Sequence, residues 1–147
     1  MGSQKKKRSA TRDGGRFLAL PYTVLDSPAF LNLPAPAVRL LLDVARQYNG
    51  DNNGKLLASN KYLSTRGWTS HDTALNARRA LELSGLIFET RKGMRPNRTA
   101  WYAVTWLTLD WTADMDIKRE EFTRGAYAKT LALPAVPKTR ALSRQAG

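Results

Sequence analysis

Six short polar side chains, Thr69, Ser70, His71, Asp72, Thr73 and Asn76, fall within two helical turns and are followed by Arg79. After an apolar stretch come Arg91, Lys92, Arg95 and Arg98, four cations within eight positions. The first group offers donors and acceptors of the kind that read base edges: Asn pairs with adenine, and Thr meets a phosphate oxygen or a thymine methyl. Arg79 is long enough to reach the backbone. The second group suits a minor groove or its phosphates. This is recognition chemistry rather than bond-making chemistry. The same residue types also serve as an ordinary solvated face, and a basic hairpin serves solubility.

Arrangements for catalysis are poor by comparison. His71 is the single histidine and there is no cysteine. Histidine metal clusters, thiolate metal sites and disulfides are therefore excluded. Ser59, Ser64 and Ser70 have no base near them in sequence, and no Gly-rich phosphate loop is present. We expect no catalytic residues, no metal site and no cofactor.

The elements that must position these side chains follow from the pattern. Ser59 caps a helix running to about Arg66, and Gly67-Trp68 form a turn. Ser70 caps a second helix whose inner face is Ala74, Ala77 and Leu81, and Gly85 ends it. Ala77 is small enough for a neighbouring helix to cross closely, and Leu81 anchors the core. A strand at 86–90, a hairpin at 91–99 and a returning strand at 100–109 come next. Trp101, Ala103, Thr105 and Leu107 point one way, and Tyr102, Val104, Trp106 and Thr108 the other. Both faces are partly apolar, which asks for cover from the C-terminal segment or from a second subunit. Core or interface is the expected place for Trp68, Trp101, Trp106 and Trp111, although such rings also stack on unpaired bases.

Upstream, 17–20 is read as a short strand ended by Pro21. Asp26-Ser27-Pro28 looks like a helix start leading into 29–33, stopped by Pro34. The clearest long helix is 35–48, with Val38, Leu41, Leu42, Ala45 and Tyr48 as its apolar stripe. Asn49-Gly50 ends it, residues 51–54 turn tightly, and 55–58 is a short strand. Residues 114–129 are read as a helix with sparse apolar contacts at Ile117, Phe122 and Tyr127. The expected fold class is mainly α with a small antiparallel β-sheet, a winged helix-turn-helix.

From Ser70 the residues Ser70, Thr73, Ala77, Leu81, Gly85, Leu86 and Ile87 resemble, in spacing, the winged helix-turn-helix of GntR-type bacterial regulators. The block 17–110, about two thirds of the chain, is similar to small phage- and plasmid-type helix-turn-helix proteins. The matching pieces are Leu20-Pro21, Leu25-Asp26-Ser27-Pro28-Ala29, the 48–54 run, Glu89-Thr90-Arg91-Lys92-Gly93 and the 105–110 run. The resemblance implies duplex DNA binding, with the second helix in the major groove. The chain departs from the family pattern at Arg78, where an apolar residue is usual, and at Leu75, where a polar one is common. Either the helix is slightly rotated, or Arg78 lies at its edge and Leu75 meets a thymine methyl or a partner chain.

Charge supports the same class. Against 12 acidic residues stand 24 Lys and Arg, a formal net charge of +12 over 147 residues. A sequence pI of 10.5 is the footprint of a polyanion binder. The densest positive segment is 1–16, where Lys5, Lys6, Lys7 and Arg8 can run along phosphates as an arm or stand free in solvent. Neutralising about 6–10 phosphates makes affinity fall by about 10³–10⁵ between 50 and 200 mM salt. No apolar run reaches the ~18 residues of a membrane span, and no signal peptide is evident, so a cytoplasmic, nucleoid-associated setting is expected. Three segments are expected: a disordered basic arm at 1–16, the domain at 17–110, and a part-helical extension with a disordered tail at 111–147.

The expected partner is double-stranded DNA, bound by a homodimer if the protein is a transcription regulator of a phage, plasmid or other mobile element. A replication or maintenance protein of such an element would instead bind repeated origin sites and recruit a partner through the C-terminal segment. A winged-helix protein-interaction module is the reading from a different class.

Overall fold

The computed structural model describes residues 11–130. Lys5, Lys6, Lys7 and Arg8 lie outside the described residues, as does the end of the C-terminal extension. The described chain is mostly helical with one small two-stranded antiparallel sheet.

Two four-residue helices open the fold, α1 (Tyr22–Leu25) and α2 (Pro28–Leu31). The break between them is chemical. The Ser27 hydroxyl accepts from the Phe30 N–H and donates to the Val24 carbonyl, and Pro28 starts the next turn. The expected strand at 17–20 does not form. Phe17 is 70% exposed, and the segment lies extended with no ladder partner among the described residues.

The scaffold helix is α3 (Ala35–Ala45), shorter than expected from the pattern. Its buried face is Ala37, Leu40, Leu41, Val44 and Ala45, with Leu42 turned 42% exposed. The stripe is therefore rotated from the expected one. Residue Gln47 explains why the helix stops. Its side-chain amide donates to the Leu57 carbonyl at 2.8 Å and accepts from the Leu57 N–H at 2.9 Å. That pairing ties the exit of α3 to the following extended segment, as a neighbouring strand would.

Helices α4 (Asn60–Thr65) and α5 (His71–Leu83) follow, capped by Ser59 and Ser70 as expected. Ala74, Ala77 and Leu81 are buried, and α5 packs on α3 through that face. Gly85 reverses the chain at φ 78°. The Ala126 carbonyl oxygen would lie 3.0 Å from any added Cβ there, so both backbone angle and space favour glycine.

Strand β1 (Ile87–Arg91) pairs with β2 (Trp101–Val104) in the register Ile87 with Val104 and Glu89 with Tyr102, then slips before Arg91 meets Trp101. The expected strand at 55–58 reduces to one bridge, in which Leu56 and Tyr102 exchange backbone bonds of 3.0 and 2.9 Å. The returning strand ends early because the chain turns at Thr105 and Trp106. Fully buried Asn53 fills the corner. Its amide nitrogen donates to the carbonyls of Val104 and Thr108 at 3.0 Å each, and its amide oxygen accepts from the Val104 N–H at 2.9 Å. The backbones of Asn53 and Asp110 also pair, with Asp110 N donating to Asn53 O at 2.9 Å.

Residues 111–130 form a strap rather than the expected helix, with only 3₁₀ turns at Arg119–Glu121 and Ala126–Lys129. Ile117, Phe122 and Tyr127 recur every five residues, which winds them around a helix instead of along one side. Gly125, at φ 79°, then breaks any continuation. The strap supplies the cover that the sheet's apolar face requires. Phe122 packs edge-on against Phe88 with ring centres 5.7 Å apart. Gly125 N donates to Thr105 O at 2.6 Å, and the Thr130 hydroxyl donates to Ser84 O at 2.6 Å.

Candidate nucleic-acid interface

Burying one face of α5 on α3 leaves the other face to solvent. His71, Asp72, Thr73, Asn76 and Arg79 are all exposed, as are Thr69 and Ser70. The helix start is well made. Ser70 Oγ accepts from the Thr73 N–H at 3.2 Å and lies 3.0 Å from the Thr73 hydroxyl, and Asp72 sits favourably in the positive first turn. The Ser70 and Thr73 hydroxyls are thus engaged with each other, while His71, Asn76 and Arg79 extend outward without ion pairs to described residues.

Across from this helix stands the 91–99 hairpin. An open groove of about 440 Å³ separates them, walled by His71, Asp72, Leu75 and Arg78 on one side and by Gly93, Thr99 and Ala100 on the other. The first turn of α5 and the hairpin are therefore neighbours across this groove. Glu89 also lines this groove, so its own charge is not strongly positive.

The four hairpin cations divide into two kinds. Arg91 lies over the Trp101 ring, its Cζ 3.3 Å from the ring centre, and donates from Nε and Nη2 to the Thr99 carbonyl. Arg98 is forked onto Asp116 of the strap, with contacts of 2.5 and 3.2 Å. Lys92 and Arg95 are exposed and their side chains form no ion pair with a described residue. Asp116 Oδ2 also accepts from the Lys92 N–H at 2.8 Å. The Arg98 contact, followed by that N–H, holds the Asp116 carboxyl below its ordinary value of 3.8. A lowered carboxylate value stabilises the fold above the unfolded-state value, and that contribution is lost as pH falls through the folded value. The Lys92 amide resonance should accordingly titrate with a midpoint below pH 3.8. A midpoint at or above that value would show the Asp116 contacts with Arg98 and Lys92 to be absent in solution.

Arg78 lies at the helix edge. Its guanidinium donates to Glu82 at 2.9 Å and to the Tyr102 hydroxyl at 3.2 Å, and that hydroxyl donates to Glu89 at 3.3 Å. Burial, partly offset by Arg78, pushes the Glu82 carboxyl up. Burial likewise pushes the Tyr102 hydroxyl up to about 12, so it stays a donor at neutral pH. The residue where the family pattern has an apolar side chain is thus absorbed into a half-buried polar network, and Leu75 is half-buried on the groove wall.

Sequence reasoning missed the residue that fixes this helix. Asp43 is 6% exposed in the middle of α3. It accepts from Arg66 Nε at 2.9 Å and from Trp68 Nε1 at 2.7 Å, and its carbonyl accepts from the Tyr62 hydroxyl at 2.6 Å. Arg39 adds a bond to the Arg66 carbonyl at 2.8 Å and lies over the Trp68 ring at 4.9 Å. One carboxylate thereby pins the 66–68 turn, and with it the start of α5, to the scaffold helix. The signal was present in sequence: an acid four residues after an arginine on an apolar helix, with a tryptophan in the later turn.

The other tryptophans are also placed structurally. Trp106 is 6% exposed, Trp111 Nε1 donates to the Ile117 carbonyl at 2.8 Å, and the Trp101 ring meets both Lys55 and Arg91. Among the described residues there is no group of three His, Cys, Asp or Glu that could hold a metal ion. Among them, too, no helix is long and apolar enough to cross a membrane. Compared with known proteins, the chain matches no protein-family model, no curated protein and no solved structure.

Proposed function

We propose that this protein is a winged helix-turn-helix protein that binds double-stranded DNA, and that it serves a phage, plasmid or other mobile element as a transcription regulator. α5 is the recognition helix and the 91–99 hairpin is the wing. One observation carries the reading. Helix α5, its start pinned through Asp43, exposes His71, Asp72, Asn76 and Arg79, and its first turn shares a groove with the hairpin that exposes Lys92 and Arg95. Such a face reads base edges in a major groove while neighbouring cations hold phosphates. The net charge of +12 supplies the sequence-independent attraction. The regulatory role rests on the resemblance to small phage- and plasmid-type proteins.

The test is selection of bound fragments from a random duplex library at physiological salt. An enriched motif, above all a palindrome, supports a site-specific regulator and gives the half-site spacing. Retention of no duplex at all sinks the proposal. Single changes separate the two kinds of contact. Arg95→Ala should weaken binding to every sequence alike and lower the slope of log affinity against log salt by about 0.9. Asn76→Ala should leave that slope alone and relax discrimination at one position by about 1–3 kcal/mol. A slope unmoved by Arg95→Ala removes the wing from the phosphate contacts.

A further inference from the structure

We propose that Asp116 is a specificity-determining residue, which holds Arg98 off the DNA backbone and so lowers sequence-independent binding. This rests on the DNA-binding reading above. The contact has the forked form that a guanidinium also makes to a phosphate: Nη2 to Oδ1 at 2.5 Å and Nη1 to Oδ2 at 3.2 Å. Nη1 is occupied further by the Lys92 carbonyl at 3.3 Å. Both terminal nitrogens that a phosphate would use are therefore taken.

Asp116 does not depend on Arg98 for its position. Its backbone N–H donates to the Thr90 carbonyl at 2.8 Å, and its Oδ2 accepts from the Lys92 N–H at 2.8 Å. The carboxylate is thus built into the base of the wing by backbone contacts on both sides. It stays beside Arg98 whether or not DNA is near. Arg98 keeps about a third of its side chain exposed, so the site remains open to an approaching backbone once the acid is gone. The wing then offers phosphates Lys92 and Arg95 and withholds Arg98. Phosphate contacts raise affinity for every sequence equally, whereas base contacts do not. An acid that cancels one phosphate contact therefore widens the gap between a preferred site and bulk DNA.

The experiment uses the full chain and a duplex of random sequence, with affinity measured across a salt series. Asp116→Asn keeps an acceptor for Lys92 N–H but removes the charge. It should steepen the salt slope by about 0.9, one added phosphate contact. Glu120→Gln removes the same charge from an exposed strap position and should leave the slope at the wild-type value. Combining Asp116→Asn with Arg98→Ala should return the slope to wild type. Arg98→Ala alone should not lower it, and this variant keeps the test sharp even if Asp116→Asn folds poorly. Steepening that survives without Arg98, equal steepening in Glu120→Gln, or a slope that drops in Arg98→Ala each overturns the role given to Asp116. Those results leave the DNA-binding reading standing, whereas a wild-type chain that binds no duplex overturns both.

Discussion

Replacing Asn53 by alanine should destabilise the protein by about 3–4 kcal/mol, since each buried polar group left without a partner costs about 1–3 kcal/mol. The change would strand the Val104 N–H and take the donor from the carbonyls of Val104 and Thr108. Asn53 is fully buried, so water cannot simply replace it. Against a total stability of about 5–15 kcal/mol for a domain this is a large loss. Asn53→Asp should fare no better, because a carboxylate would face the same carbonyls with no proton to give. Urea unfolding gives the comparison, read as a shift in midpoint at constant slope. A loss below about 1 kcal/mol would mean that the corner relaxes around the gap or takes up water.

The second large effect is expected at Asp43. Asp43→Ala leaves Trp68 Nε1 and Arg66 without their acceptor. Arg66 keeps 41% of its side chain exposed and recovers solvation, so the stability loss should be about 1–3 kcal/mol, below the range for a fully buried pair. The larger consequence concerns α5. With the 66–68 turn released from α3, its first turn loses its fixed position, and DNA affinity should fall at least tenfold, about 1.4 kcal/mol, at a temperature where the variant is fully folded. Asp43→Asn retains one acceptor oxygen and should fall between. Unchanged affinity in a folded Asp43→Ala protein would confine this residue to stability alone.

The elements of the candidate interface were largely legible in the sequence, for local reasons. Ser59, Ser70 and Gly85 are capping and reversal residues whose roles depend on a few neighbours, and all three stand where expected. Ala74, Ala77 and Leu81 repeat at a helical period, and that face is buried. What escaped was set by partners far along the chain. The amide of Asn53 answers carbonyls more than 50 residues away, yet in sequence it reads as one more turn asparagine. Arg98 looked like a free wing cation, and only the packed strap shows Asp116 beside it. The 35–48 stripe was misjudged by about one position because Leu42 is as apolar as Leu40, so pattern alone did not choose between them. The strap failed as a helix because its apolar residues recur every five positions and serve separate partners, Phe122 meeting Phe88 and Tyr127 reaching Thr23.

The strap also delays contacts that the first helices need. The Tyr127 hydroxyl donates to Thr23 at 3.4 Å across 104 residues, and the 126–129 turn packs on α2. Ribosomes add about 5–20 residues per second, so α1 and α2 exist for roughly 5–20 seconds before these contacts can be made. Late in that interval Phe88 has been made but has no Phe122 to cover it, and the Ser84 carbonyl has no Thr130 hydroxyl. A nascent chain halted near residue 110 would hold α5 and the 91–99 hairpin while showing an uncovered apolar strip beside them. Chaperone capture during synthesis should therefore concentrate on that strip and end once Tyr127 has cleared the exit tunnel.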